Sequence, residues 1–87
     1  MGKHESVMAG HALEVLRLML DQDRRPLTPC EKLACRVLLP IVGKRELVLF
    51  CDTFENGNPL YRSSHLSLSF DAICRNVNKR YGCQSVR

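Results

Sequence analysis

The stretch that decides the fold class is KRELVLFCDTFENGNPLYRSSHL, residues 44–66. It contains an unbroken apolar run, LVLFC at 47–51, which is prone to extended structure, and an Asn-Gly pair at 56–57. Asn-Gly between two extended stretches is the strongest short hairpin signal, because both central residues of such a turn take positive φ. The sequence therefore predicts a β-hairpin centred on this pair, in which Phe54 lies opposite Pro59.

The two predicted strands differ in polarity. The first is apolar on both faces, whereas the second contains the polar run Arg62 to His65. A lone hairpin is marginally stable in water. The apolar strand therefore needs helices on one face and either a helix or a second subunit on the other.

A first helix is predicted from Ser6, which can cap it, to about Gln22. Most of its circumference is apolar, and its polar residues are confined to a narrow stripe made of Gly10, Glu14, Arg17 and Asp21. A helix this apolar must be covered on several sides. In so small a domain, we expect a second copy of the chain to cover part of the apolar surface of this helix.

A second helix is predicted by the capping box Thr28-Pro29-Cys30-Glu31, in which the threonine hydroxyl and the glutamate carboxylate each accept a backbone N–H of the other residue. Pro40 disfavours helical geometry at the residue before it, so the regular helix is expected to end near Leu38 or Leu39. Gly43 then closes the segment.

A last helix is predicted to begin at Ser69 as its cap, with Asp71 in the first turn and Gly82 at its C-terminal end. Its apolar residues form one stripe, made of Phe70, Ile73, Cys74, Val77 and Tyr81. Together these elements predict an α+β fold with the order helix, helix, β-hairpin, helix (ααββα). A length of 87 residues with 45% hydrophobic and 25% charged residues fits one small globular domain, residues 1–87, and rules out a two-domain enzyme.

The charge is concentrated toward the C-terminus. The net charge is +4, and residues 44–87, with seven basic and four acidic residues, account for +3 of it. The last predicted helix and its tail supply a candidate nucleic-acid-binding set, in which an asparagine could read a base and cations could contact phosphates: Arg75, Asn78, Lys79, Arg80 and Arg87. Few aromatic residues are available to stack single-stranded bases, which favours DNA over RNA.

Two functions remain open at this stage. The first is a small regulatory protein, expected to be a homodimer, that binds nucleic acid through this basic face. The second is a protein-protein interaction module, an adaptor or inhibitor, that uses the apolar first helix or the edge of the hairpin. A basic face that is merely solvated is a further interpretation of the same residues.

The cysteines indicate a reduced, cytoplasmic protein. Their number is odd, and the first ten residues lack the apolar segment of a secretory signal. They are Cys30, Cys35, Cys51, Cys74 and Cys83. No CxxC pair, paired acidic motif or phosphate-binding loop occurs. We therefore expect no enzyme activity, no cofactor, no stoichiometric zinc and no intrachain disulfide in the fresh protein. No apolar run is long enough to span a bilayer.

Overall fold

The computed structural model describes residues 3–82, and its regular secondary structure within that range is entirely helical, with no strand. It has four helices, α1 (Lys3–Met19), α2 (Pro29–Val42), α3 (Lys44–Asn56) and α4 (Arg62–Tyr81). The predicted α+β class, with its β-hairpin, is therefore wrong. The first helix begins and ends about three residues earlier than predicted, at Lys3 instead of Ser6 and at Met19 instead of Gln22.

Successive helices run antiparallel. Gly43 alone separates α2 from α3, and Cys35 Sγ lies 3.4 Å from Cys51 Sγ across that pair. At the start of α4, Arg62 Nη2 donates to the Gln22 carbonyl oxygen just beyond α1, at 3.0 Å. α1 packs mainly on α2, and α3 mainly on α4. The end of α2, the start of α3 and the end of α4 therefore lie at the same end of the bundle.

The core is built from all four helices. Phe50 and Phe54 of α3 are both fully buried, and they are its largest side chains. Its buried hydrophobic residues are Ala9, Ala12, Leu13, Leu16, Met19, Ala34, Leu38, Leu47, Phe50, Phe54, Leu66, Ile73 and Val77. The apolar stripe predicted for the last helix contributes two of these residues, Ile73 and Val77.

The hairpin prediction fails because the apolar run of α3 also fits a helical period. Leu47, Phe50 and Phe54 recur at the i, i+3, i+7 spacing of one helix face, and all three are buried. Val48 and Leu49 face outward and are about half exposed. A helix buries both phenylalanines in one stripe against the other helices, whereas a strand would have needed cover on both faces.

The Asn-Gly pair ends a helix instead of turning a hairpin. Gly57 has a φ of −65°, and its N–H donates to the Thr53 carbonyl oxygen at 2.9 Å. A Cβ on Gly57 would collide with that same oxygen. The glycine is therefore needed for space at the C-terminus of α3, and the positive φ predicted for a hairpin turn does not occur.

The predicted second strand is the start of α4. Asn58 Oδ1 accepts the Leu60 N–H at 2.9 Å, and this short turn leads directly into the helix at Arg62. Ser69, which was expected to cap the helix, lies buried in its interior, so that prediction is wrong. Gly82 does end the helix, with a φ of 91°, as predicted.

The start of α2 is as predicted. Thr28 Oγ1 accepts the Glu31 N–H at 3.2 Å, and Glu31 Oε1 accepts the Thr28 N–H at 2.9 Å. The helix does not stop before Pro40, however, but continues to Val42, where Gly43 closes it with a φ of 99°. Pro40 is exposed near the end of the helix, where the loss of one hydrogen bond leaves a carbonyl that water can reach.

The Glu31 carboxylate is also the acceptor of a partly buried ion pair. Arg25 donates to it through both terminal nitrogens, at 2.8 and 2.6 Å, and Glu31 itself is buried. These hydrogen bonds from Arg25 hold the pKa of Glu31 below its usual value, against the opposing effect of burial. One carboxylate thus caps α2 and fixes the loop that leads into it.

We expect Glu31→Gln to lower the free energy of unfolding by about 1–3 kcal/mol at pH 7, the usual range for a lost hydrogen bond between charged groups. Glutamine can still complete the capping box, so the decrease in the free energy of unfolding measures the contribution of the negative charge on Glu31. Urea denaturation followed by circular dichroism measures it. The matched control is Glu14→Gln, because Glu14 pairs with Arg17 on the exposed surface and such pairs contribute little. Equal losses in the two variants would contradict the prediction.

The same ion pair predicts a pH dependence. Because the pKa of Glu31 is lowered on folding, its contribution is complete above the unfolded value of about 4.3 and is lost as the pH falls through the lower folded value. The difference in stability between wild type and Glu31→Gln should therefore stay constant from about pH 7 to pH 5 and shrink toward pH 3. A difference that persists undiminished at pH 3 would show that charge is not its source.

Candidate nucleic-acid interface

Three of the predicted phosphate-binding cations lie on the outer surface of α4. Arg75, Lys79 and Arg80 are all exposed, and the first two are one helical turn apart. None of them takes part in either of the two ion pairs found within residues 3–82. Their charges therefore face solvent and are available to an anionic partner.

Asn78 is placed differently from these cations. It is half-buried, and its Oδ1 atom is buried with no hydrogen-bond partner within residues 3–82. Reading an adenine requires both the oxygen and the nitrogen of the amide, and this oxygen faces the protein interior. Asn78 therefore does not present both amide atoms to solvent beside the three exposed cations. Arg87, the remaining residue of the predicted set, lies outside the described residues.

Two cations that sequence reasoning missed lie at the same end of the bundle. Lys44 and Arg45 are exposed at the start of α3, and the antiparallel topology brings this helix start beside the end of α4. They were overlooked because the stretch was assigned to a strand. We call this set of exposed cations toward one end of the bundle the basic end, and it consists of Lys44, Arg45, Arg75, Lys79 and Arg80.

Some acidic residues lie near the basic end. Glu5 lines the same shallow pocket as Arg80, together with Pro40 and Tyr81, and Asp71 lies one turn before Arg75 on α4. Neither acid forms an ion pair with a cation among the described residues. Glu46 also lies there, in the first turn of α3. Five cations thus accompany three acids, so the net charge of this end is positive.

Arginines at the opposite end are bonded to the protein itself. Arg24 Nη1 donates to the Gly57 carbonyl oxygen at 3.2 Å, and Arg62 Nε donates to the Phe54 carbonyl oxygen at 3.0 Å. Arg25 is held by Glu31. These guanidinium groups fasten the loops, whereas no such hydrogen bond to the rest of the described chain involves Arg75, Lys79 or Arg80. The cations at the two ends of the bundle therefore differ in their surroundings, because one set is bonded to the protein and the other faces solvent.

The buried oxygen of Asn78 predicts a mutational difference from its neighbour Asn76. Asn76 Nδ2 donates to the Ala72 carbonyl oxygen at 2.9 Å. Alanine improves helix propensity equally at both positions, but only Asn76→Ala gives up that hydrogen bond. We expect Asn78→Ala to be more stable than Asn76→Ala by about 1 kcal/mol in chemical denaturation. Equal stabilities would show that Asn78 has a hydrogen-bonded role.

A groove of about 450 Å³ runs between α2 and α3. Cys35 and Cys51 line it, and both are half-buried. The two thiols share a hydrogen bond in which either sulfur can be the donor. This bond lowers the pKa of Cys35 and raises that of Cys51, and burial further raises the pKa of Cys51. The described residues contain no group of three or more His, Cys, Asp or Glu side chains placed to hold a metal ion.

A second groove, of about 170 Å³, lies between α1 and α2 and is apolar. Leu33 lines it with more than half of its surface exposed, and Met8 lines the opposite wall. The remaining lining residues are His11, Ala12, Val15, Cys30, Ala34 and Val37. This groove is where the apolar first helix predicted from the sequence reaches the surface.

No family model matches the chain, and no curated protein or solved structure matches it significantly. Within residues 3–82, none of the helices is both long enough and apolar enough to cross a bilayer. The function must therefore be argued from the surfaces themselves.

Proposed function

We propose that this protein is a small cytoplasmic regulatory protein that binds nucleic acid, DNA in preference to RNA, through the basic end. The observation that carries the proposal is the set of exposed cations at one end of the bundle, three of which, Arg75, Lys79 and Arg80, have no ion-pair partner in the described chain. Binding phosphates with such cations releases condensed counterions, which supplies most of the affinity in non-specific complexes.

The expected mode is contact with the phosphate backbone and little discrimination between sequences. Lysine and arginine position a protein on the duplex, while specificity comes from groups that reach base edges. Asn78, the amide predicted for that task, has its oxygen buried. The surface therefore supports binding to the charged duplex more strongly than reading of a particular site.

Changing Arg75, Lys79 and Arg80 together to alanine should weaken binding and flatten its salt dependence. If the three cations contact phosphates, the slope of log K against log salt should fall in magnitude by roughly two to three, at about 0.9 for each contact with duplex DNA. Mobility-shift titrations with mixed-sequence duplex DNA and RNA at several salt concentrations measure it. Exposed substitutions usually leave stability nearly unchanged.

The matched control removes the same charge from other surfaces. The triple variant Arg17→Ala, Arg24→Ala and Lys32→Ala changes exposed cations at the opposite end of the bundle and should keep most of the wild-type slope. Equal loss in the two triple variants would show that net charge alone is responsible. A wild-type protein that binds neither DNA nor RNA at low salt would overturn the proposal.

A second candidate function, supported by the apolar groove between α1 and α2, is protein-protein interaction, including formation of a homodimer. The predicted interaction through the edge of a β-hairpin is wrong, because residues 3–82 contain no strand. The groove and the exposed Leu33 offer apolar surface of the kind that marks interaction sites.

A homodimer through this groove should have a mass of about twice 9.9 kDa at tens of micromolar, measured by size exclusion with light scattering. Leu33→Glu should return the protein to a monomer, because a charge in an apolar interface is costly to bury. Leu49→Glu is the matched control, since Leu49 is about as exposed but lies on α3 away from the groove. A wild-type mass of one chain would contradict the dimer.

A further inference from the structure

The Cys35 and Cys51 side chains form a close thiol pair in the groove between α2 and α3. Their sulfur atoms are 3.4 Å apart, and each side chain is half-buried on a wall that is open to solvent. The described cysteines outside the pair lie elsewhere, with Cys30 exposed in the groove between α1 and α2 and Cys74 half-buried on α4. Neither is close enough to another described cysteine to form a second pair.

We propose that Cys35 and Cys51 form a reversible dithiol-disulfide site that exchanges with a small disulfide of the glutathione type. A protein disulfide has an S–S length of about 2.05 Å, so the two sulfur atoms must approach each other by little more than 1 Å. The helices that carry them are neighbours joined by Gly43 alone. Small side-chain rotations can therefore close the bond while the bundle keeps its fold.

The exchange is balanced in two steps. The Cys35 thiolate attacks one sulfur of glutathione disulfide, the S–S bond of that molecule breaks, and the glutathione thiolate that leaves takes up a proton. The Cys51 thiolate then attacks Cys35 Sγ, forms the protein disulfide and displaces the second glutathione. Two protein thiols are oxidised by two electrons in total, and one glutathione disulfide is reduced to two molecules of glutathione.

The surroundings of the two thiols assign their roles. Either thiol can be the donor of the hydrogen bond between them, but that bond lowers the pKa of Cys35, whereas the same bond, burial and the Glu55 carboxylate raise the pKa of Cys51. Cys35 is therefore the attacking thiolate. The pKa of Cys51 is raised while the negative charge on Cys35 is beside it. Formation of the mixed disulfide on Cys35 removes that charge, so Cys51 becomes easier to deprotonate before it attacks Cys35 Sγ in the second step.

Charges around the groove suit an anionic disulfide. Lys32, Arg36 and Lys44 all line it, and glutathione disulfide carries four carboxylates against two ammonium groups. Asp52 and Glu55 line the α3 side, where they oppose a thiolate on Cys51 more than one on Cys35. The groove therefore favours initial attack on the oxidant by the α2 cysteine.

The experiment equilibrates the wild-type protein in glutathione buffers of increasing oxidising strength, quenches with acid, alkylates the remaining thiols and digests with trypsin. The two cysteines fall in different tryptic peptides, 33–36 and 46–62, and Cys30 falls in neither. We expect these two peptides to appear joined by a disulfide, and to be recovered separately alkylated after dithiothreitol. Cys30 in the same sample is the internal control, because it is exposed and is not paired with another cysteine of residues 3–82.

Two single variants separate the roles. Cys51→Ser should retain one glutathione on Cys35, because the resolving thiol is absent. Cys35→Ser should react with glutathione disulfide about tenfold more slowly than Cys51→Ser, because burial and the Glu55 carboxylate still raise the pKa of Cys51 after the Cys35 thiolate is removed. Circular dichroism checks that both variants are folded.

Three results would overturn the proposal. The wild-type protein could retain stable glutathione on either cysteine, it could form disulfides between chains, or both peptides could stay alkylated in the most oxidising buffer. The experiment measures disulfide formation and does not depend on nucleic-acid binding, so it tests the dithiol-disulfide site separately from the proposed function.

Discussion

The arrangement of the helices depends on one cluster, in which the buried ring of Phe54 is approached by two guanidinium groups. Arg25 lies 5.3 Å and Arg62 4.8 Å from the ring centroid. Arg25 is held by the buried Glu31 carboxylate. Arg62 donates to the Phe54 carbonyl oxygen at the end of α3 and to the Gln22 carbonyl oxygen just beyond α1. Cation-π contacts of this kind gain strength when they are partly desolvated. The cluster joins the loop after α1, the cap of α2, the end of α3 and the start of α4, so it fixes how the two halves of the bundle face each other.

That cluster explains why the cations of this chain have separate uses at the two ends. At the loop end, arginines satisfy carbonyl oxygens and a carboxylate that would otherwise be left without partners, and their removal would leave those groups unpaired. At the basic end, Arg75, Lys79 and Arg80 have no protein acceptor in the described chain, and their charge is left for another molecule. A positive net charge alone does not distinguish these two situations, because both kinds of residue contribute to it equally.

The single-residue connection at Gly43 links the two surfaces on which the proposals rest. Its positive φ allows α3 to begin immediately after α2, a conformation that glycine adopts at little cost. The tight turn places the start of α3, with Lys44 and Arg45, at the basic end. It also sets the antiparallel pairing in which Cys35 faces Cys51. The same backbone geometry thus positions two exposed cations and a thiol pair on adjacent parts of one helical hairpin.

Features that depend on neighbouring residues could be predicted from the amino-acid sequence: the capping box of Thr28 and Glu31, the glycines that end α2 and α4, and the buried stripe through Ile73 and Val77. The choice between helix and strand for residues 47–54 depends on packing, because an unbroken apolar run fits both periods and Asn-Gly is compatible with both a hairpin turn and a helix end. Burial of Phe50 and Phe54 in one stripe made the choice. Packing likewise decided that Asn78 turns its oxygen inward while Arg75 stays exposed, since helical spacing fixes the angle between two side chains but not which of them a neighbouring helix covers.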